Sequence, residues 1–143
     1  MTLPIDELGQ TIQAALPDDV LGVHLAGNEL VVSARFGAIV NVLTYLRDDS
    51  SCMFKQLMDV CGVDYPEREQ RFEVVYNLLS MKHNQRVRVT VAVSEGDAVP
   101  TVTGIFSTAG WFEREVFDMY GIPFDGHPDL RRILTDYGFE GYP

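Results

Sequence analysis

Three carboxylates and one histidine near the carboxyl end are the residues whose types could do chemistry together: Glu113, Glu115, Asp118 and His127. Converging carboxylate and imidazole groups can hold a metal ion or carry out general acid–base catalysis. The two glutamates do not converge, because at about 100° per residue they lie roughly 160° apart around a helix. The pattern therefore argues against an acid–base or metal site. A stand-alone enzyme that uses the acidic helix and His127 is kept as the second functional hypothesis.

The helix that must position these groups is predicted over residues 111–120. Its apolar residues recur at helical spacing and form one face: Phe112, Val116, Met119 and Tyr120. The other charged residues gather on the opposite side: Arg114, Glu115 and Asp118. Glu113 falls inside the apolar arc, where a carboxylate is costly unless it is paired and hydrogen-bonded. We expect Glu113 to pair with Arg131, with Arg132 or with a group on another protein of an assembly.

The residues after this helix predict a stop followed by an irregular tail. Gly121 suits a left-handed C-terminal cap, and Pro123 prevents the helix from resuming. Asp125-Gly126 is typical of a turn. A short helical turn is predicted to begin at Pro128. It has an apolar side and carries the fixed positive charges nearest to Glu113: Leu130, Ile133, Leu134, Arg131 and Arg132.

Hydrophobic periodicity predicts eight elements in the order α-β-β-α-β-β-β-α. They are a helix from Pro4 to Pro17, strands over 21–25 and 30–33 joined at Gly27-Asn28, a helix from Gly37 to Asp48, strands over 57–65, 72–81 and 86–93, and the helix over 111–120. In the first strand, Leu21, Val23 and Leu25 alternate with smaller or polar residues, as in a half-buried strand. The alternating valines of the last strand predict an antiparallel sheet with one covered face. The fold class is therefore α+β, a mainly antiparallel sheet covered by helices, with an irregular C-terminal tail.

The composition is that of a globular chain of ordinary domain size. It has 143 residues, of which 46% are hydrophobic, and it is long enough to bury a core. The formal net charge of −10 argues against binding to nucleic acid or directly to anionic lipid. Arg86 and Arg88 make one small positive patch, more typical of a solvated face than of a docking site. No apolar run reaches the length of a membrane span, and we expect no signal peptide.

Two cysteines, Cys52 and Cys61, are too few for a redox or zinc centre. An iron–sulfur cluster normally takes about four thiolates, and zinc takes about four cysteine or histidine ligands. Both thiols fall in apolar surroundings, so we expect them to be free and buried. The glycines form no phosphate-binding loop, and no G-x-S-x-G sequence supplies a nucleophilic serine.

The stretch from Trp111 to Tyr142 resembles the signature of the C-subunit family of NADH-quinone oxidoreductase, the small hydrophilic peripheral-arm component of respiratory complex I. The matching residues keep the family's spacing without a gap: Glu113-Arg114-Glu115, Asp118-Met119-Tyr120-Gly121, His127, Arg131 and Ile133-Leu134. We take the charged members, with Gly121 and Arg132, as the candidate interface residues. Family members usually continue past the Gly-Tyr-Pro sequence with a basic, proline-containing tail, whereas this sequence ends at Pro143.

The resemblance implies an α+β protein with no catalytic residue and no cofactor of its own. It would be a scaffold in the hydrophilic arm of complex I, packed mainly against the quinone-site D subunit, with the B subunit and other peripheral-arm components nearby. FMN, iron–sulfur clusters, NADH and quinone would belong to the partners in this proton-translocating enzyme. The chain would lie at the cytoplasmic face of a bacterial inner membrane, or at the matrix face of a mitochondrial one. The alternative within this class is the equivalent part of a membrane-bound hydrogenase or formate hydrogenlyase.

The C-terminal tail, residues 124–143, is predicted to be an assembly surface separate from the α+β domain, residues 1–123. It is rich in aromatic residues and glycine and has little regular periodicity, so it buries its own apolar groups poorly. Aromatic residues and arginine are enriched in protein interfaces, which favours a partner surface. The competing interpretation is that the tail folds back on its own sheet and closes the domain.

Overall fold

The helices and strands follow the order that the hydrophobic patterns predict. The computed structural model describes residues 2–127. Its elements are α1 (Ile5–Ala15), β1 (Val20–Ala26), β2 (Glu29–Ala34), a 3-10 turn (Phe36–Ala38), α2 (Ile39–Asp48), β3 (Gln56–Asp64), β4 (Phe72–Ser80), β5 (Gln85–Val93), β6 (Val99–Pro100), α3 (Ala109–Tyr120) and β7 (Phe124–Asp125). The predicted α+β class is confirmed, and two short strands, β6 and β7, are added to it.

The predicted apolar faces of the first two helices form part of the core. In α1, Leu8 and Ile12 have no exposed surface. In α2 the four residues of the predicted stripe are all fully buried: Ile39, Val42, Leu43 and Leu46. They belong to the same core cluster as the valines of β5 that were predicted to point one way: Val87, Val89, Val91 and Val93. The buried faces of the two helices and of β5 therefore form a single core.

The main sheet has the strand order β1-β2-β5-β4-β3. Three of its neighbouring pairs are antiparallel, and the central pair, β2 with β5, is parallel. A parallel pair needs a crossover, and here α2 and the β3–β4 hairpin supply it. The sheet is thus mainly antiparallel, as predicted, but its central parallel pair is formed by strands that are far apart in the chain.

The predicted half-buried alternation of β1 is wrong for two of its three apolar residues. Leu21 is 69% exposed and Leu25 is 45% exposed, and only Val23 is half-buried. The pairing register of β1 shifts between Val20 and Gly22, which displaces Leu21 from the regular alternation. Leu25 lies next to the last residue of β1, an edge strand, so within residues 2–127 its side chain has a strand neighbour on one side only.

The first residues of the predicted tail are joined to the domain by a small parallel sheet. β6 pairs with β7, placing Val99 beside Phe124, and the Val99 N–H donates to Pro123 O at 2.9 Å. Phe124 is only 3% exposed and belongs to the core. This pairing joins residues far apart in the chain, so no local pattern predicts it. The division after residue 123 stays a prediction, and residues 128–143 lie outside the described part.

Close packing of α3 on β3 depends on a glycine. A Cβ at Gly62 would lie 2.7 and 2.8 Å from two carbons of the Tyr120 ring. That ring also packs edge-on against Phe72, with centroids 6.2 Å apart. The ring is therefore held from both sides and has little room to move.

Gly62→Ala is expected to destabilise the protein by about 1–3 kcal/mol, because the added methyl group overpacks the α3–β3 contact. The midpoint of urea unfolding would measure the change. Gly104→Ala is the matched control, since nothing lies within 4 Å of a Cβ there. Equal unfolding midpoints for Gly62→Ala and Gly104→Ala would contradict the prediction.

Candidate functional site

The candidate site is built on α3, which begins two residues before the predicted start at Trp111 and ends at Tyr120 as predicted. Gly121 follows with φ +72°, the left-handed conformation expected of a C-terminal cap. Its N–H donates to Phe117 O at 2.8 Å, which closes the last turn. The cap directs the chain from the end of α3 towards β7.

The predicted burial of Glu113 is confirmed, and the structure identifies its partners. Glu113 has no exposed surface. The Thr101 hydroxyl donates to Glu113 Oε1 at 2.5 Å, and the Val102 backbone N–H donates to Oε2 at 2.9 Å. Both donors lie just after β6. The carboxylate therefore ties α3 to the segment that leads away from the small sheet.

His127 lies on the other side of the same carboxylate. Its Nε2 is 2.9 Å from Gly110 O and 3.8 Å from Glu113 Oε1, and its side chain is 2% exposed. A carbonyl oxygen only accepts hydrogen bonds, so Nε2 must carry the proton that it donates to Gly110 O. We call this set the Glu113 latch: Glu113, Thr101, Val102, Gly110 and His127. The latch attaches the first residues of the tail to α3.

Burial dominates the electrostatics of the latch. Desolvation raises the pKa of Glu113 above its ordinary value, although the hydrogen bonds from Thr101 and Val102 and the nearby His127 oppose the shift. Tyr76 of β4 is also fully buried, and burial followed by the charge of Glu113 raises its pKa well above the usual value. Within residues 2–127 no hydrogen bond reaches the Tyr76 hydroxyl. The Glu113 latch is therefore part of the buried core and is closed to solvent.

The other charged residues of the family motif on α3 differ in their burial. Arg114 and Glu115 are half-buried, and the Arg114 guanidinium lies 5.6 Å from the centre of the Trp111 ring. Asp118 is fully buried, so its predicted place on the solvent side is wrong. At about 100° per residue Asp118 lies roughly 140° around the helix from Glu113. A pattern with a single buried face does not predict this second buried side.

The apolar face of α3 is also rotated from its predicted position. Met119 was predicted to be part of that face but is 39% exposed. Apart from Asp118 on the second buried side, the buried residues of α3 are Ala109, Glu113 and Val116. The buried arc is therefore centred nearer to Glu113, because a polar residue with enough hydrogen bonds can occupy a core position.

Sequence reasoning missed the residues that satisfy Glu113. Thr101 and Val102 carry no motif, and only the requirement of a buried carboxylate for donors pointed to them. Gly110, whose carbonyl oxygen accepts from His127, was missed as well. Arg131 and Arg132, the expected partners, lie outside the described residues. Of the predicted chemical set, the structure brings together Glu113 and His127, whereas Glu115 lies on the outer side of α3.

The two cysteines are free, as predicted. Cys52 is buried, and burial raises the pKa of its thiol to about 12. Cys61 is exposed, so its predicted burial is wrong. It lies on β3, an edge strand of the main sheet. Residues 2–127 contain no group of three or more potential metal ligands. No helix among them is long and apolar enough to cross a membrane.

Known proteins similar to this chain share both its sequence and its fold. The family described as the respiratory-chain NADH dehydrogenase 30 Kd subunit matches residues 32–143. The C subunit of NADH-quinone oxidoreductase from Paramagnetospirillum magneticum is 65% identical over 100% of this chain and 72% of its own length. The protein of the same name from Rhodospirillum rubrum is 62% identical over 96% of this chain and 65% of its own length.

A solved structure gives the same fold at much lower identity. A chain of the membrane-bound sulfane sulfur reductase, an archaeal respiratory membrane complex, matches with a TM-score of 0.77 and 22% identity. The match covers 92% of this chain and 78% of that chain. With the family match over most of the chain, the sequence relatives show that the chain belongs to the C-subunit family of NADH-quinone oxidoreductase, whose members are components of respiratory complex I.

Proposed function

We propose that this chain is a non-catalytic scaffold of the peripheral arm of proton-translocating NADH-quinone oxidoreductase, and that it docks the quinone-site D subunit beside the B subunit. FMN, iron–sulfur clusters, NADH and quinone are then bound by these and other partners. The chain itself lies on the cytoplasmic side of a bacterial inner membrane or the matrix side of a mitochondrial one. Its membership in the C-subunit family supports the assembly role.

The observation that carries the proposal is the closed environment of the Glu113 latch. Glu113 and His127 are the acid–base pair of the latch, yet their side chains are 0% and 2% exposed. A substrate cannot reach them, and both oxygens of the carboxylate already accept hydrogen bonds from the chain's own groups. The pair therefore holds structure together, which favours a scaffold over a stand-alone enzyme.

The contacts of the Glu113 latch determine where the chain can be truncated to test the assembly function of the tail. Truncation after Ile122 would remove Phe124, which is buried and paired with Val99, as well as His127. It would damage the domain itself. A chain truncated after His127 keeps both contacts and removes the rest of the tail.

The chain truncated after His127 is expected to fold but to fail in assembly, because the residues proposed to contact the D subunit are lost. In cells whose gene carries the truncation, NADH-quinone turnover by the membranes should fall at least tenfold. The isolated chain should keep its urea midpoint near that of the full-length chain. Normal recovery of the truncated chain in the complex would refute the proposal, and loss of the isolated fold would favour a tail that closes the domain.

Two double variants that remove the same charge distinguish the effect of Arg131 and Arg132 on assembly from the effect of shortening the tail. Arg131→Ala with Arg132→Ala should weaken incorporation in the same direction as truncation. Arg35→Ala with Arg68→Ala removes the same charge from side chains that are 58% and 55% exposed. That control should assemble normally. Equal losses from both pairs would mean that net charge, and not the tail, controls assembly.

The alternative is the equivalent part of a membrane-bound hydrogenase or formate hydrogenlyase. The names of the most similar relatives above do not favour it. The proteins that co-purify with the chain distinguish the two, since only the first predicts an NADH-oxidising partner.

A further inference from the structure

The open edge of the main sheet offers unpaired backbone groups. Among residues 2–127, β1 pairs with β2 on one side and with no strand on the other. The two strands are joined by the two-residue turn Gly27-Asn28, and Ala26 lies opposite Glu29. In such a hairpin the closing pair is hydrogen-bonded and the pairs then alternate along the ladder. The N–H and C=O groups of Val23 and Leu25 therefore point away from β2, towards the free edge.

β1 has only some of the features that usually protect an edge strand. Its sequence, Val20–Ala26, contains no charged residue and no proline, and Leu25 is 45% exposed. Natural edges are usually blunted by charge, proline, a bulge or a covering element. The opposite edge strand, β3, carries Asp59 and Asp64, whereas β1 has no such charge. Each edge strand packs one face against a helix, β1 against α1 and β3 against α3. The bulge at Leu21 limits the regular open edge to residues 22–26.

The surroundings of this edge are acidic. Asp6 and Glu7 of α1 and Asp18 before β1 are exposed, and no ion pair within residues 2–127 includes them. Asp6 shares a side of α1 with Gln13, whose amide donates to Val20 O at 3.0 Å in β1. Asp6, Glu7 and Asp18 thus lie on the segments next to β1. Arg35 contacts Asp18 O but pairs its charge with Asp19. The charge left unpaired is negative and favours an approaching segment of positive charge.

We propose that the free edge of β1 accepts an extended, basic segment of another protein of the complex, which adds a sixth strand to the sheet. Backbone hydrogen bonds to Val23 and Leu25 hold the segment, and its basic residues face Asp6, Glu7 and Asp18. A second copy of this chain is a poorer occupant, because its own acidic flanks would lie against these carboxylates. This surface rests on the proposed membership in the complex and is separate from the tail.

Hydrogen–deuterium exchange of the purified complex, read residue by residue, tests the backbone part of the proposal. The amide of His24 faces β2 and serves as an internal reference. If a strand is added, the Val23 and Leu25 amides should exchange as slowly as that of His24. They should exchange at least a hundredfold faster in the isolated full-length chain. Fast exchange of both amides in the intact complex would refute the proposal.

Leu25→Pro removes the edge donor without touching a β1–β2 hydrogen bond. We expect at least a tenfold lower recovery of this variant in the complex. Leu25→Thr, which keeps the amide and a strand-forming side chain, should assemble normally. Equal recovery of Leu25→Pro and Leu25→Thr would overturn the backbone role. If Leu25→Pro fails to fold, the exchange measurement on the wild-type complex still decides the question.

Carbodiimide cross-linking of the complex identifies the occupant, since it joins carboxylates to lysine amines in direct contact. In the complex that contains the full-length chain, Asp6, Glu7 or Asp18 should be linked to a lysine of a different protein. Links only to a second copy of this chain, or only to its own residues, would contradict the proposal. This readout is independent of tail docking, so either surface can fail without the other.

Discussion

Val89→Asp is expected to remove a large part of the protein's stability. Val89 has no exposed surface and lies between Val32 of β2 and Tyr76 of β4 in the sheet. An aspartate there buries a charge with no partner, which costs about 4 kcal/mol or more. The stability of a whole domain is only about 5–15 kcal/mol. Urea unfolding followed by circular dichroism would measure the loss.

Thr90→Asp is the matched control for this prediction. Thr90 is the next residue of β5 and points to the opposite face of the sheet, where it is half-buried. Because water reaches that face, the same added charge should cost much less than at Val89. An unfolding midpoint of Val89→Asp equal to that of the wild type would contradict the buried face. Equal losses at the two positions would mean that charge alone, and not burial, causes the effect.

Glu113→Ala is expected to produce the second large effect. It removes the acceptor of the Val102 N–H and the Thr101 hydroxyl and leaves a cavity beneath α3. The combined loss is about 2–4 kcal/mol of unfolding free energy. Glu115→Ala, two residues further along at a half-buried position, should change stability by less than about 1 kcal/mol. Equal effects of the two variants would show that the latch contributes nothing.

Glu113 should also make stability depend on pH in a defined direction. Because burial raises its pKa in the folded state, its protonated form is favoured by folding. Its contribution is fully present below its unfolded pKa and is lost as the pH rises through the higher folded value. Glu113→Gln cannot ionise, so the stability of the wild type relative to this variant should fall as the pH rises from about 4 to 7.

Other carboxylates do not obscure this comparison. Ion pairs lower the pKa values of Asp48 and Asp64, which has the opposite effect on stability, but both proteins contain them and their effects cancel. Denaturant unfolding of the two proteins across the pH range is the measurement. A relative stability that rises with pH would mean that His127 and the hydrogen bonds outweigh the burial of Glu113.

Local patterns in the sequence determined the elements of this fold. Residues 39–46 and 87–93 are apolar at spacings of 3.6 and 2, so their helix and strand and the faces they bury were predictable. The position of Glu113 within an apolar arc was enough to predict a buried carboxylate that needs partners. The unbroken charged motif around α3 was enough to indicate the C-subunit family, which the similarity to known members confirms.

Only the tertiary structure decided which elements meet. The parallel pairing of β2 with β5, the pairing of Val99 with Phe124 and the hydrogen bonds from Thr101 and Val102 to Glu113 all join residues distant in the chain. Periodicity reports only whether one face of an element is covered. It does not identify the element that covers this face. It also does not reveal a second buried side, as at Asp118, or a strand at the edge of the sheet, as at Leu25. Those features depend on the order of the strands in space, which is set by the packing of the whole core.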